Sequence, residues 1–266
     1  MEVKLPVYII EERPFYVDID KNQLWEVYQP VNMICFENMH YRDTHYFVTY
    51  DLVNSLSPAL LLKNPEQREG IQIPQKVELD PIGISKKYNV PLDSLAGRSD
   101  FDVIVNHDLL KKRQTGVLPT IDIAGKMYIV DCRLNELRPK DDFSYSIKFD
   151  DLYYRVEDEK YLAYYNTASH RIEEIDLNLR SLPKNVVQIE IPGQISLDPV
   201  AVARKYELDF KDTLLKHPLH EHRKLKTMPL KDTNLPELVK SNRQRVDLLN
   251  KSKDEKDRTK GKGRGI

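Results

Sequence analysis

The chain has 266 residues, 40% hydrophobic and 31% charged, with a net charge of −1, a composition that suits a globular protein of one large domain or two ordinary ones. No run approaches the 18 apolar residues of a membrane span, and the start MEVKLPVYII lacks the apolar core of a secretion signal. Two cysteines, Cys35 and Cys132, are too few for a disulfide framework, so a reducing compartment, the cytoplasm, is expected.

In chain order, Val7–Ile10 and Phe15–Ile19 read as strands from their alternating apolar residues, and Asn32–Phe36 as a third. Met39–Arg42 with Tyr46–Asp51 predicts a hairpin, followed by a linker with a short helical turn at Ser57–Lys63 and a strand at Gln72–Pro74. Ile73–Tyr88, IPQKVELDPIGISKKY, then reads as an extended segment entering a helix. Asp80 is placed to accept an unpaired first-turn N–H, and Pro81 stands where a missing N–H costs nothing. Phe101–Val105 reads as a buried strand and Asn106–Gln114 as a helix ended by Gly116.

The chain then begins again. Pro6–Arg42 aligns with Pro119–Arg155 at an offset of 113 without a gap, and ten of the 37 positions are identical. About two would match by chance at ordinary residue frequencies. Ile191–Tyr206, IPGQISLDPVAVARKY, matches Ile73–Tyr88 at an offset of 118, with seven of sixteen positions identical. The second series therefore predicts strands at Thr120–Ala124, Met127–Arg133 and Tyr145–Phe149. It adds a hairpin from Leu152–Arg155 and Tyr161–Asn166, helical turns at Leu177–Ser181, a strand at Val187–Pro192, and a helix capped by Asp198 and Pro199. Lys216–Lys226 shows no periodicity. Past Leu235-Pro236 a helix-like segment bears Leu238, Val239, Val246 and Leu249, and from Asn250 onward the composition predicts disorder.

Few residues carry a chemical signal. Asp18 and Asn22, matched by Asp131 and Asn135, read as turn-closing side chains. His217, His220 and His222 lie within six residues but fit no zinc spacing, and no metal or cofactor is assigned. Phosphate-binding glycine patterns and the GxSxG elbow are absent, and no catalytic residue is assigned, so the reading leans away from an enzyme. Tyrosine, at 15 residues, concentrates in the hairpins. Tyr41-Arg42 and Tyr154-Arg155 are identical in both series, and Tyr with Arg is enriched where proteins meet, so these four residues are the expected partner surface. From Pro236 the chain holds ten Lys or Arg against five Asp or Glu. Lys251, Lys253, Lys260, Lys262 and Arg264 could attract nucleic-acid phosphates.

The segment GKMYIVDCRLNELRPKDD and the terminal KGKGRGI resemble uncharacterised, internally duplicated proteins carried on bacterial conjugative elements. The resemblance implies a bacterial cytoplasm and mobile DNA as the setting, and brings no activity.

The sequence thus predicts an α+β protein of two tandem, homologous, strand-rich domains, residues 1–117 and 118–234, each with an Asp-Pro-capped helix. A C-terminal helix and a disordered basic tail occupy 235–266. The expected function is a non-catalytic adaptor with a duplicated protein-binding surface and no membrane association. The alternatives are non-specific nucleic-acid association through the tail, and a metal-dependent hydrolase of unfamiliar type.

Overall fold

The computed structural model describes residues 5–51 and 68–261. β1 (Val7–Ile10), β2 (Arg13–Asp18), β3 (Gln23–Glu26) and β4 (Met33–Cys35) form an antiparallel meander in that order. Phe15, Val17, Leu24 and Ile34 alternate along these strands and are buried on one face, as the period of two requires. A 3-10 turn at Phe36–Asn38 leads into a second antiparallel sheet of β5 (His40–Tyr41), β6 (His45–Asp51) and β7 (Arg68–Pro74). Four helices follow: α1 (Lys76–Leu79), α2 (Pro81–Tyr88), α3 (Asp100–Ile104) and α4 (His107–Gln114).

The same order recurs. β8 (Thr120–Ile123), β9 (Lys126–Asp131), β10 (Glu136–Pro139) and β11 (Ile147–Lys148) form the next meander, and a 3-10 turn follows at Phe149–Asp151. β12 (Tyr153–Arg155), β13 (Lys160–Asn166), β14 (Arg171–Glu173) and β15 (Val186–Pro192) build a further sheet. α5 (Gln194–Leu197), α6 (Pro199–Lys205) and α7 (Phe210–Lys216) come next. β16 (His222–Lys224) pairs in parallel with β8, and β17 (Thr227–Pro229) pairs with β15. α8 (Leu235–Gly261) closes the chain. The fold is mixed α+β, as the sequence reading has it.

An Asp-Pro pair caps each of α2 and α6. Asp80 accepts from the Gly83 N–H at 2.8 Å and Asp198 from the Ala201 N–H at 3.1 Å, with Pro81 and Pro199 at the first helical position. Asn22 and Asn135 hold left-handed backbone, φ 56° and 58°, and each carbonyl accepts from the next 3-10 turn, at Phe36 N and Phe149 N. Each Asn side chain also ties down the residue that starts the following short helix. Lys76 Nζ donates to Asn22 Oδ1 at 2.9 Å, and Gln194 Nε2 to Asn135 Oδ1 at 2.7 Å.

Several sequence expectations change. The residues before Asp80, read as extended, form α1. The buried Asp100 carboxylate accepts from Lys76 N and Val77 N and so nucleates that turn. Phe101–Val105, read as a strand, is α3, started by a capping box between Ser99 and Asp102. β3 and β10 are strands that the sequence reading passed over, and Leu177–Ser181 forms turns and bends. The stretch from Asn250, expected to be disordered, is helical to Gly261. Its opposite charges four apart, Lys251/Glu255, Lys253/Asp257 and Asp254/Arg258, are the spacing that favours a helix. The turn expected at Ser57–Lys63 lies outside the described residues.

The chain divides into two compact units. The first joins the chain up to Val117 with Asp198–Leu219, and the second joins Leu118–Leu197 with the chain from His220. Asp198–Leu219, which the sequence reading puts with residues 118–234, packs in the first unit. There Val200 and Leu214 share an apolar cluster with Val105 and Leu110, and the Arg113 guanidinium grips Asp198 by two nitrogens.

Candidate interaction surface

In an antiparallel meander, residues opposite one another line up across the sheet on one face. In the first unit Val7 pairs with Tyr16, Tyr16 with Trp25, and Trp25 with Met33, giving one apolar residue from each of the four strands. This row lies on the face opposite the core residues Phe15, Val17, Leu24 and Ile34. Val7 is 50% exposed and Met33 42%, while Tyr16 and Trp25 are half-buried, with ring centroids 4.7 Å apart. Trp25 is the only tryptophan in the chain, and its buried indole N–H has no hydrogen-bond partner among the described residues. Ile9, two residues along β1, is 56% exposed, and the β3–β4 connection adds exposed Tyr28 and Val31.

The meander of the second unit has the same strand order and register but a different outer face. Thr120 stands at the position of Val7, Ile129 at that of Tyr16, Arg138 at that of Trp25 and Ser146 at that of Met33. Arg138 is bound to Asp131 and Glu136, and Ser146 donates to Glu136. The meander therefore folds with an outer row that is polar at three of its four positions, Ile129 being the exception. The apolar row of the first unit is not needed to make the sheet.

The residues singled out from sequence are placed differently. Tyr41 is buried: its hydroxyl lies 2.7 Å from Asp43 O and 2.9 Å from Gln75 Oε1, the two acceptors that share its single proton, and burial pushes its pKa up to about 12. The expectation of an exposed Tyr41 is thereby corrected. The tyrosine turns inward because Gln75, itself buried, needs partners, and it also receives the Asp100 N–H. Arg42 is exposed. Tyr154 is 40% exposed and packs on Tyr161, with centroids 4.8 Å apart. Arg155 is held by Asp158 and Glu190, and Lys160 joins the same two carboxylates. The two Tyr-Arg pairs are thus alike in sequence and unlike in exposure. Lys251 is exposed on α8, Lys253 and Lys260 lie on the same helix, and Lys262 and Arg264 lie outside the described residues.

His217 belongs to the first unit and His220 and His222 to the second, where His222 Nδ1 lies 3.2 Å from Thr120 Oγ1. Among the described residues no group of three or more His, Cys, Asp or Glu is placed to hold a metal ion. The chemically sharpest group is Lys76. It is 4% exposed and lies over the rings of Phe36 and Tyr46, and burial lowers its pKa to about 8. Its contact with Asn22 and its burial make it a strut between the β2–β3 turn and α1. In the second unit Tyr128, Tyr165 and His170 form a buried hydroxyl chain that fixes the turn after β13.

The row Val7–Tyr16–Trp25–Met33 is invisible to a match of identical positions, because none of its four residues is the same in the second series. Its signal is the reverse: three positions on one strand face, Val7, Trp25 and Met33, are apolar in the first series and polar in the second. Comparisons with family models, curated proteins and solved structures found no match. Among the described residues no helix is long and apolar enough to cross a membrane.

Proposed function

We propose that the protein is a non-catalytic interaction protein that binds a protein partner through the outer face of its first meander. One observation carries this reading: a solvent-facing apolar row built on a sheet whose twin, with the same register, is polar at three of the four positions. Exposed apolar patches cost solubility, and where the fold does not require them they mark binding sites. Aromatic residues and methionine are the residue types enriched in such contacts. The two series of elements are read as a tandem duplication, supported by their common element order and by the caps and Asn struts that they share. After duplication one copy kept or gained the sticky face while the other became polar. This replaces a surface presented twice with a surface presented once. The setting in a bacterial cytoplasm and on mobile DNA rests on the sequence resemblance.

The test exchanges residues between the two series. Val7→Thr, Trp25→Arg and Met33→Ser together install the residues that the second meander already carries, so the fold is expected to survive, as judged by circular dichroism. Affinity capture from the native host with nuclease present is expected to lose its specific partner in this variant and to keep it in Arg42→Ala. A partner retained by the triple variant would remove the surface from consideration.

A further inference from the structure

The two meanders differ in a second way, at their outer edge. In the second unit β8 is covered by β16, which runs parallel to it with His222 opposite Thr120, Arg223 opposite Ile121 and Lys224 opposite Asp122. Thr120 N donates to Glu221 O at 3.0 Å, and Leu225 N donates to Asp122 O at 2.9 Å. In the first unit β1 stands where β8 does. Among the described residues it pairs with β2 alone. The residues that correspond to β16 at the 118 offset, Ile104–Asn106, end α3 and cap α4.

The register shows which groups are left over. Ile10 and Arg13 flank the two-residue turn, so the directly bonded pairs are Ile10 with Arg13 and Tyr8 with Phe15. Val7 and Ile9 therefore turn their N–H and C=O groups outward, as Thr120 and Asp122 do towards β16. An unprotected edge with apolar side chains is a template for another strand. Where the covered edge has Thr120 and Asp122, the open edge has exposed Val7 and Ile9. At the end of β1 the exposed Glu11 and Glu12 replace Ala124 and Gly125.

We propose that the edge of β1 binds an extended segment of a partner protein by parallel strand addition. The segment carries apolar side chains at the two positions beside Val7 and Ile9, and a lysine or arginine follows where the strand leaves past Glu11 and Glu12. The direction follows from β16. A second copy pairing β1 with β1 about a two-fold axis would run antiparallel. The apolar positions follow from Val7 and Ile9, and the basic end from the charge of the turn. Main-chain bonds supply affinity in this mode and alternate side chains supply selectivity. The inference rests on the reading of the adjacent face as a binding surface.

The probe is the hexapeptide Glu-Val-Arg-Val-Leu-Lys, which is Glu221–Lys226 with valine in place of His222 and Lys224, titrated into the full chain. Trp25 is the single tryptophan and lies in the row that begins at Val7, so its emission reports binding. A saturable emission change is expected, with the reversed-sequence peptide clearly weaker. Ile9→Pro removes an outward N–H where the opposite residue, Pro14, has none to lose, and should weaken binding about tenfold or more, the loss of one good hydrogen bond. Thermal melting checks that this variant folds. Val7→Thr with Ile9→Asp, the residues of the covered edge, is a second variant with the same expected loss.

No saturation, equal binding of the reversed peptide, or unchanged affinity in both variants would overturn the proposal. So would a concentration-dependent dimer of the unliganded protein that Ile9→Pro abolishes, since the edge would then belong to a second copy. Host-partner capture lost in the triple face variant but kept in Ile9→Pro would sink the edge alone. Peptide binding with capture indifferent to the face variant would sink the face alone.

Discussion

Asp80 and Asp198 hold the same place in two helices, and their surroundings set different stakes. Asp80 caps α2 and is 8% exposed, and its replacement by alanine should cost about 1 kcal/mol, the usual worth of a cap. Asp198 is 1% exposed and also accepts from Arg113 Nε and Nη2 at 2.9 and 2.6 Å. Asp198→Ala strands a guanidinium whose side chain is only 10% exposed, and losses from breaking such a pair run to about 3–5 kcal/mol. Urea unfolding of both variants is expected to show the second loss clearly larger, and equal losses would refute the role given to Arg113. Lys76 gives a pH signature. Its pKa is lowered, chiefly by burial, from an ordinary 10.5 to about 8, so between these values the unfolded chain binds more protons than the folded one. Stability from this group therefore rises with pH across that window, by at most about 1.4 kcal/mol per pH unit. Lys76→Gln, the residue found at Gln194, should flatten the rise in urea midpoint between pH 8 and 10. These side-chain roles were only half legible: the Asp-Pro cap is a local motif, whereas the partners Arg113 and Asn22 are 85 and 54 residues distant.

Among the elements, the hairpins at the head of each series show how far a local signal reaches. β8 and β9 turn through Ala124-Gly125, φ 52° and 88°, where glycine suits the left-handed backbone. β1 and β2 make the same turn with Glu11 and Glu12 at φ 46° and 65°, where a side chain costs energy that glycine would not. Glu12→Gly should raise stability by about 0.5–1 kcal/mol, the left-handed cost less glycine's extra entropy, read as a higher melting temperature. A fall would mean that the glutamate makes a compensating contact. The α8 helix teaches the opposite lesson. Its first half is anchored, with Leu235 and Val239 buried and Asn242 bonded to the carbonyls of Leu177 and Leu179. A deletion meant to probe the basic end must therefore start beyond Arg243, whose Nε also holds the Arg180 carbonyl. Composition marked the end of this segment as disordered because it counts charges and ignores their spacing. The spacing is helical.

In the whole molecule, the second series gives up α6 and α7 to the first unit. A chain ending at Val117 contains the whole first series yet lacks Val200, Leu214 and Asp198, the partners of Val105, Leu110 and Arg113. It also lacks Asp212, which accepts from the Tyr41 N–H. Such a chain is expected to melt non-cooperatively and bind a hydrophobic dye, and restoring 198–219 through a flexible linker should recover a cooperative transition. A cooperative 1–117 chain would show that the borrowed helices are dispensable. Periodicity, turn residues and the offset matches depend on neighbours a few residues apart, and from them the strands of both meanders, the capped helices and the α+β class could be read. Which unit holds α6 and α7, that Tyr41 faces inward while Tyr154 does not, and that one meander carries an exposed apolar row were decided by packing. Each depends on residues scores of positions apart competing to fill one core or satisfy one buried polar group, and no window along the chain contains both competitors.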